Sequence, residues 1–204
     1  SYELGVKSAW ASRQTHLNAA VFYIDWSDMQ TPAGLPCGAS WVQNSGQATS
    51  QGAEIEFFTN LCRNLELTLN GTWTDARLDE DVPLMNGRKG DRVPGVPEYA
   101  YAGSLSCFFD VAVDLESSVR VDYHYVGSSQ VGYSYCPWCQ PGKIPSYSLV
   151  NLRLNLGKGR WRVALYAHNL LDERAIITMH DGAAGQYVTT ARPFTAGISA
   201  SLVY

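Results

Sequence analysis

Apolar and polar residues alternate with a period of two along most of this chain, and a helical period of 3.6 is hard to find. Residues 2–10 set Tyr2, Leu4, Val6 and Trp10 against Glu3, Gly5 and Lys7. Residues 64–76 set Leu65, Leu67, Leu69 and Trp73 against Glu66, Thr68, Asn70, Thr72 and Thr74. Val119, Val121, Tyr123 and Tyr125 oppose Arg120, Asp122 and His124, and Val150, Leu152 and Leu154 oppose Asn151, Arg153 and Asn155. The last segment alternates Phe194, Ala196, Ile198, Ala200 and Leu202 with Thr195, Gly197, Ser199 and Ser201. This pattern predicts about nine strands, near 2–10, 15–26, 41–60, 64–77, 97–110, 115–127, 146–156, 160–178 and 191–204. Each has one apolar and one polar face.

A soluble sandwich would alternate in the same way. Two features favour a membrane barrel instead. The segments are about ten residues or longer, as a tilted membrane-spanning strand requires. The connections also alternate in length. Short turns fall near Ala11–Gln14, Leu61–Arg63, Asp110–Asp114 and Gly157–Gly159, and long loops cover roughly 27–40, 78–96, 128–145 and 180–190. Short turns on one rim and long loops on the other are the habit of outer-membrane barrels, whose short turns are periplasmic. On this reading Leu65, Leu67, Leu69, Val150, Leu152 and Leu154 face lipid, while Arg120, Asp122, His124, Asn151, Arg153 and His168 face the lumen. Arginine should cost far more at Leu152 than at Asn151. Tyr2, Trp10, Trp26, Trp73, Tyr99, Tyr101, Trp161 and Tyr204 suit aromatic girdles at the two interfaces. Nine strands is an odd number, so the expectation is a fragment whose upstream strands are absent.

Composition agrees with this picture. Charged residues make up 17%, below the roughly 25% of an average soluble domain. No stretch approaches the ~18 apolar residues of a membrane-crossing helix. The net charge of −4 comes without a basic run, which argues against nucleic acid. Residues 1–4 show no signal peptide.

The resemblance is carried by several segments in order. Leu17–Trp26 resembles the strand ending in an aromatic and acidic tip in TonB-dependent receptors. Asn44–Glu56, as N-S-G-Q-A-T-S-Q-G-A-E-I-E, is similar to that family's N-x-G-x-A-x-S-x-G-x-E-x-E strand. Arg92–Glu98 resembles its Pro-x-x-Pro lead-in to the next strand, and Asn169-Leu170-Leu171-Asp172 its N-L-x-D segment. Gly197, Ala200, Leu202 and Tyr204 fall in a closing strand that looks like the signal read by the barrel assembly machinery. The resemblance implies an all-β, antiparallel transmembrane β-barrel of 22 strands, of which residues 1–204 are the C-terminal section. It also implies a plug inside the barrel and energy relayed from the inner membrane by the TonB complex. The implied activity is import of a scarce nutrient, a ferric siderophore by default, with cobalamin, haem and saccharides open. A passive porin or small barrel, and an outer-membrane barrel enzyme, stay as rivals.

Candidate chemistry is sparse, and no cofactor or metal is expected. His124, Asp122 and Arg120 could serve acid–base work, but charged ladders line barrel interiors anyway. His168 and Asp172 come without a nucleophile motif. Asp79-Glu80-Asp81 lacks calcium-loop spacing and reads as a solvated loop tip. Gly87–Arg92, with Arg88, could attract an anionic ligand. Tyr133, Tyr135 and Trp138 are candidates for ligand capture in a loop, with packing against neighbouring loops as the alternative. Cys136-Pro-Trp-Cys139 could be a redox pair, half a zinc site or a loop disulfide, and the last is favoured at an oxidising cell surface. Cys37, Cys62 and Cys107 are expected to be structural rather than reactive.

Overall fold

The computed structural model describes residues 1–204 except 12–13, 35–39, 45, 134–141, 183–184 and 204. In chain order its strands are β1 (Tyr2–Trp10), β2 (Thr15–Trp26), β3 (Gln30–Gly34), β4 (Ser40–Asn44), β5 (Ala48–Cys62), β6 (Leu65–Leu78), β7 (Tyr99–Ala112) and β8 (Leu115–Val126). They continue as β9 (Ser129–Gln130), β10 (Lys143–Ile144), β11 (Tyr147–Lys158), β12 (Trp161–His168), β13 (Ile176–Gly182), β14 (Gly185–Thr190) and β15 (Thr195–Leu202). One 3-10 turn, Pro83–Met85, interrupts them. Among the described residues no helix is long and apolar enough to cross a membrane, which says nothing of strands.

Nine strands form one antiparallel sheet in the order β1-β2-β5-β6-β7-β8-β11-β12-β15, with β1 and β15 at its two edges. Every neighbour in that sheet is the next long strand in the chain, so it is a meander without crossovers. The remaining six strands pair as small hairpins, β3 with β4, β9 with β10 and β13 with β14. All three hairpins sit in the long connections at one rim. The opposite rim has tight turns, three of which use left-handed backbone, at Ala11 (φ 51°), Asp114 (φ 61°) and Gly159 (φ 55°), a conformation that aspartate and glycine tolerate better than alanine. Bulges at Asn60/Cys62 and Asp110/Ala112 stand beside two of these turns.

Two expected strands are broken. The stretch expected at 41–60 is β4, then a turn at Gly46 (φ 88°), then β5. A side chain on Gly46 would also collide with Val82. The stretch expected at 160–178 is β12, then a knot at Asn169–Asp172, then β13. The apolar pair Leu170 and Leu171 prolongs the apolar run, but left-handed backbone at Asn169 (φ 51°) and Asp172 (φ 48°) turns the chain out of the sheet.

Residues paired directly across strands share a face, so the register assigns the two sides. Rows such as Leu67–Leu105–Val121–Leu152–Ala167 and Cys107–Val119–Leu154–Leu165–Ile198 make one face apolar. The opposite face carries rows such as Lys7–Asn18–Glu56–Asn70 and Ser106–Arg120–Arg153–Tyr166. The apolar face is not covered: Leu4 is 76% and Ile198 72% exposed. Aromatics band this face towards the long-connection rim, with Tyr101 stacked on Tyr125 at 4.6 Å. Trp10, Phe109 and Trp161 mark the short-turn side. Trp26 departs from the girdle expectation, because pairing with Ala48 puts it in the alternation of Phe22, on the polar face.

Candidate functional site

The long connections build a second, compact structure above the sheet. Met29, Ala48, Leu78, Val82 and Tyr133 bury one another, with Met85 and Val93 packed against them. Gly87 sits between Leu78 and the Tyr133 ring, where a larger residue would clash. Backbone bonds tie the segments together: Met29 N donates to Gly46 O (3.1 Å), Asp79 N to Gln47 O (2.9 Å), Leu78 N to Asp91 O (2.9 Å) and Gly95 N to Gln130 O (2.9 Å).

This packing bears on two features read from the sequence. Tyr133 is 6% exposed, so it is a packing residue and presents no ring to a ligand. Burial, with the Asp91 carboxylate second, pushes its phenol pKa up. The acidic run is not simply solvated either. Asp79 accepts from Thr49 Oγ1 at 2.6 Å, Asp81 accepts from Lys89 N at 2.8 Å, and Glu80 alone is exposed without such a role. A run of three carboxylates reads as solvation in sequence, yet Asp79 and Asp81 help organise the loop. Arg88 is exposed, and its backbone N–H donates to Asp91 Oδ2 at 2.9 Å. Tyr135, Trp138, Cys136, Cys139 and Cys37 lie outside the described residues. Cys62 and Cys107 are free thiols.

The polar face divides into two halves. On β1, β2 and β5 it carries Lys7, Asn18, Glu54 and Glu56 around a hollow of 190 Å³, with Asn18 donating to Glu56 at 3.0 Å. On β8, β11, β12 and β15 it carries Glu116, Ser118, Arg153, Asn155, Arg162 and Ser199 around a hollow of 340 Å³. Arg120 and Arg153 stand directly opposite each other, an arrangement that destabilises unless the charges are met. Each guanidinium turns along its own strand: Arg120 Nε donates to Asp122 (2.8 Å) and Arg153 Nε to Asn155 (2.8 Å). Asn151 pairs with Asp122 in the register, and its side chain accepts from Asn169 N at 2.9 Å. His124 pairs with Leu149, and His168 with Thr195, its ring 5.1 Å from Tyr166. All six residues expected in a lumen thus share one face of the sheet. They are spread over three strands, β8, β11 and β12, and among the described residues no metal-binding cluster of His, Cys, Asp or Glu occurs.

Sequence reading missed the knot at Asn169. This asparagine is 4% exposed; its Nδ2 donates to Glu173 O (3.0 Å) and Arg192 O (2.9 Å), and its Oδ1 accepts from Glu173 N (2.9 Å). Asp172 Oδ1 accepts from Phe194 N at 2.9 Å. That hydrogen bond, followed by the Arg174 guanidinium, holds the Asp172 carboxyl below its usual pKa. Two turn-forming residues three apart were the available signal. In the closing strand, Gly197 lies under Tyr166, whose ring a side chain there would strike. Ala200 and Leu202 pair with Val163 and Trp161 on the apolar face, and Tyr204 is outside the described residues.

A meandering sheet with one uncovered apolar face, one charged face, tight turns below and built connections above is a section of β-barrel wall. The chain belongs to the TonB-dependent receptors: residues 1–170 match the family described as TonB dependent receptor-like, beta-barrel. Solved structures share its fold. The ferric yersiniabactin uptake receptor FyuA from Yersinia pestis superposes with a TM-score of 0.79 at 24% identity, over 98% of this chain and 29% of that one. The ferric-catecholate import receptor Fiu from E. coli K12 gives 0.73 at 21%, over 98% and 27%. The ferripyoverdine receptor of the outer membrane of Pseudomonas aeruginosa gives 0.72 at 18%, over 98% and 26%. The chain therefore spans less than a third of the length of these structures. The family and these neighbours are transport receptors, not enzymes.

Proposed function

We propose that this chain is the C-terminal barrel section of an energy-coupled outer-membrane receptor that imports a scarce nutrient, with a ferric siderophore as the first candidate. The observation that carries the reading is the division of the sheet into an apolar and a charged face within a family of receptors. In this reading the apolar face meets outer-membrane lipid. Arg120, Asp122, His124, Asn151, Arg153 and His168 line the lumen, and Arg88 stands on the extracellular platform where an anionic chelate would arrive. The short turns are periplasmic. The TonB complex acts through a plug carried elsewhere in the whole protein. The barrel assembly machinery reads the closing strand with Gly197, Ala200, Leu202 and Tyr204, and Cys136 and Cys139 close a loop disulfide.

The siderophore candidate is supported by the neighbours, which are receptors for ferric yersiniabactin, ferric catecholate and ferripyoverdine. The test is uptake of radioiron chelates by cells that carry the whole receptor as their sole such system. Uptake of one chelate that stops when the proton-motive force is collapsed is the expected result. Uptake that persists without energy would make the protein a passive pore, and uptake of cobalamin or a saccharide instead would replace the substrate.

A further inference from the structure

Two hollows on the apolar face meet at a shared aromatic wall. The first is a groove of 710 Å³. Its floor is Ala19, Ala53 and Gly71, small residues on three consecutive sheet strands, and Leu4, Val6 and Ile55 flank it. Trp73 and Tyr101 close its far side. The second is a pocket of 300 Å³ nearer the long connections, lined among others by Arg92, Glu98, Tyr99, Tyr125, Ser129 and Lys143. Trp73 pairs with Tyr99 across the strands, and Tyr101 stacks on Tyr125, so one wall of rings serves both hollows.

The pocket is positive by one charge. Arg92 reaches Glu98 at 2.8 Å and Asp75 at 3.8 Å, and Asp75 also holds Arg77 at 2.9 Å. In the lining itself two cations, Arg92 and Lys143, face one carboxylate, Glu98, while Arg77 and Asp75 pair beside it, and the described residues give Lys143 no ion pair. Asp75 is two residues beyond Trp73, about 7 Å along the strand. We infer that groove and pocket together seat one acylated lipid bearing a phosphate headgroup. Its chain lies in the groove and its phosphate meets Lys143 and Arg92, with the hydroxyls of Tyr99, Tyr125 and Ser129 beside them. The inference rests on the membrane placement proposed above. A neutral amphiphile would leave the extra cation unmatched, and a free anion would make no use of the groove.

The test uses the whole receptor in detergent, read by native mass spectrometry. The probes are dioleoyl phosphatidic acid, dioleoyl glycerol (the same chains without phosphate) and inorganic phosphate. One phosphatidic acid should stay bound per barrel, the glyceride about tenfold more weakly, as loss of a charge-assisted contact implies. Excess inorganic phosphate should not displace it. Lys143→Glu should weaken retention about tenfold. Gly71→Leu, which fills the groove floor, should weaken the dioleoyl lipid but leave a dihexanoyl lipid unaffected. Equal retention of both dioleoyl lipids, unchanged retention in both variants, or displacement by inorganic phosphate would each overturn the inference. A heat-modifiable band checks that each variant is a folded barrel. If the unaltered receptor gives no such band from an outer membrane, the placement itself falls, which is a different failure.

Discussion

The sheet and the platform above it are built from the same kinds of residue and solve opposite problems. In the platform Leu78 and Val82 are each 1% exposed, and Met29 and Tyr133 close around them. In the sheet, leucines and valines of equal hydrophobicity stand open along a whole face. The platform therefore carries its own buried core. The sheet has put its apolar surface where only another apolar medium can complete it. Hydrophobicity alone does not say which arrangement a segment adopts. Period-two alternation does not either, since a soluble sandwich shares it; the length of the strands and the alternation of short and long connections do.

Substitutions that separate the two should behave differently. Leu78→Ala should be the most damaging, at about 2–5 kcal/mol for a large-to-small change in a packed core. Its damage should be local: protease cleavage between residues 79 and 98 should rise while the heat-modifiable barrel band stays. If the barrel band is lost as well, platform and sheet are one cooperative unit. Leu152→Arg should do the reverse, costing about 2–4 kcal/mol near the membrane midplane and lowering barrel yield in denaturant titrations. Asn70→Arg, on the charged face beside Glu56, is the control and should be far milder. It is cleaner than the same change at Asn151, which would also lose the bond from Asn169. Equal penalties at residues 152 and 70 would overturn the assignment of faces.

Asn169→Ala should cost about 1–3 kcal/mol, because it removes the part-buried bonds of this side chain to the backbone of Glu173 and Arg192. Amide exchange at Glu173 and at the start of β15 should accelerate. The smallest expected effect is on pH. The lowered Asp172 pKa means that its contribution is fully present above the usual carboxylate range and is lost only as pH falls through the lower folded value. Protection of Phe194 N, its exchange rate taken relative to the intrinsic rate at each pH, should therefore be flat from neutral pH down to about 4 and fall below it. Asp172→Asn should remove that dependence.

Long strands were legible because alternation over ten residues has few other readings, as in Leu65–Trp73. The face of each expected lumen residue followed from the same counting. The platform was not legible, since Met29, Val82 and Tyr133 meet through segments far apart in the chain and share no period. Tyr133 in particular looks like a contact aromatic until Gly87 is seen to make room for its ring. The break at Asn169 escaped for a different reason. Leu170 and Leu171 continue an apolar run, and only the side-chain bonds of Asn169 and Asp172 reveal that the chain has left the sheet. The small hairpins in the long connections were hidden too, being held by pairing rather than by an apolar face.

The knot has a consequence for how the family can diversify. The β13–β14 hairpin is closed at its root by Asn169 to Arg192, Asp172 to Phe194, and Ala191 N to Ala175 O at 2.8 Å. Everything beyond that root is topologically a loop, so residues added between Gly182 and Gly185 do not alter the register of β12 with β15. Lengthening such a loop is thermodynamically cheap, about 0.6 kcal/mol for each doubling. Selection could therefore rewrite the hairpin tip repeatedly, in length and in chemistry, while the wall beneath it stays in register.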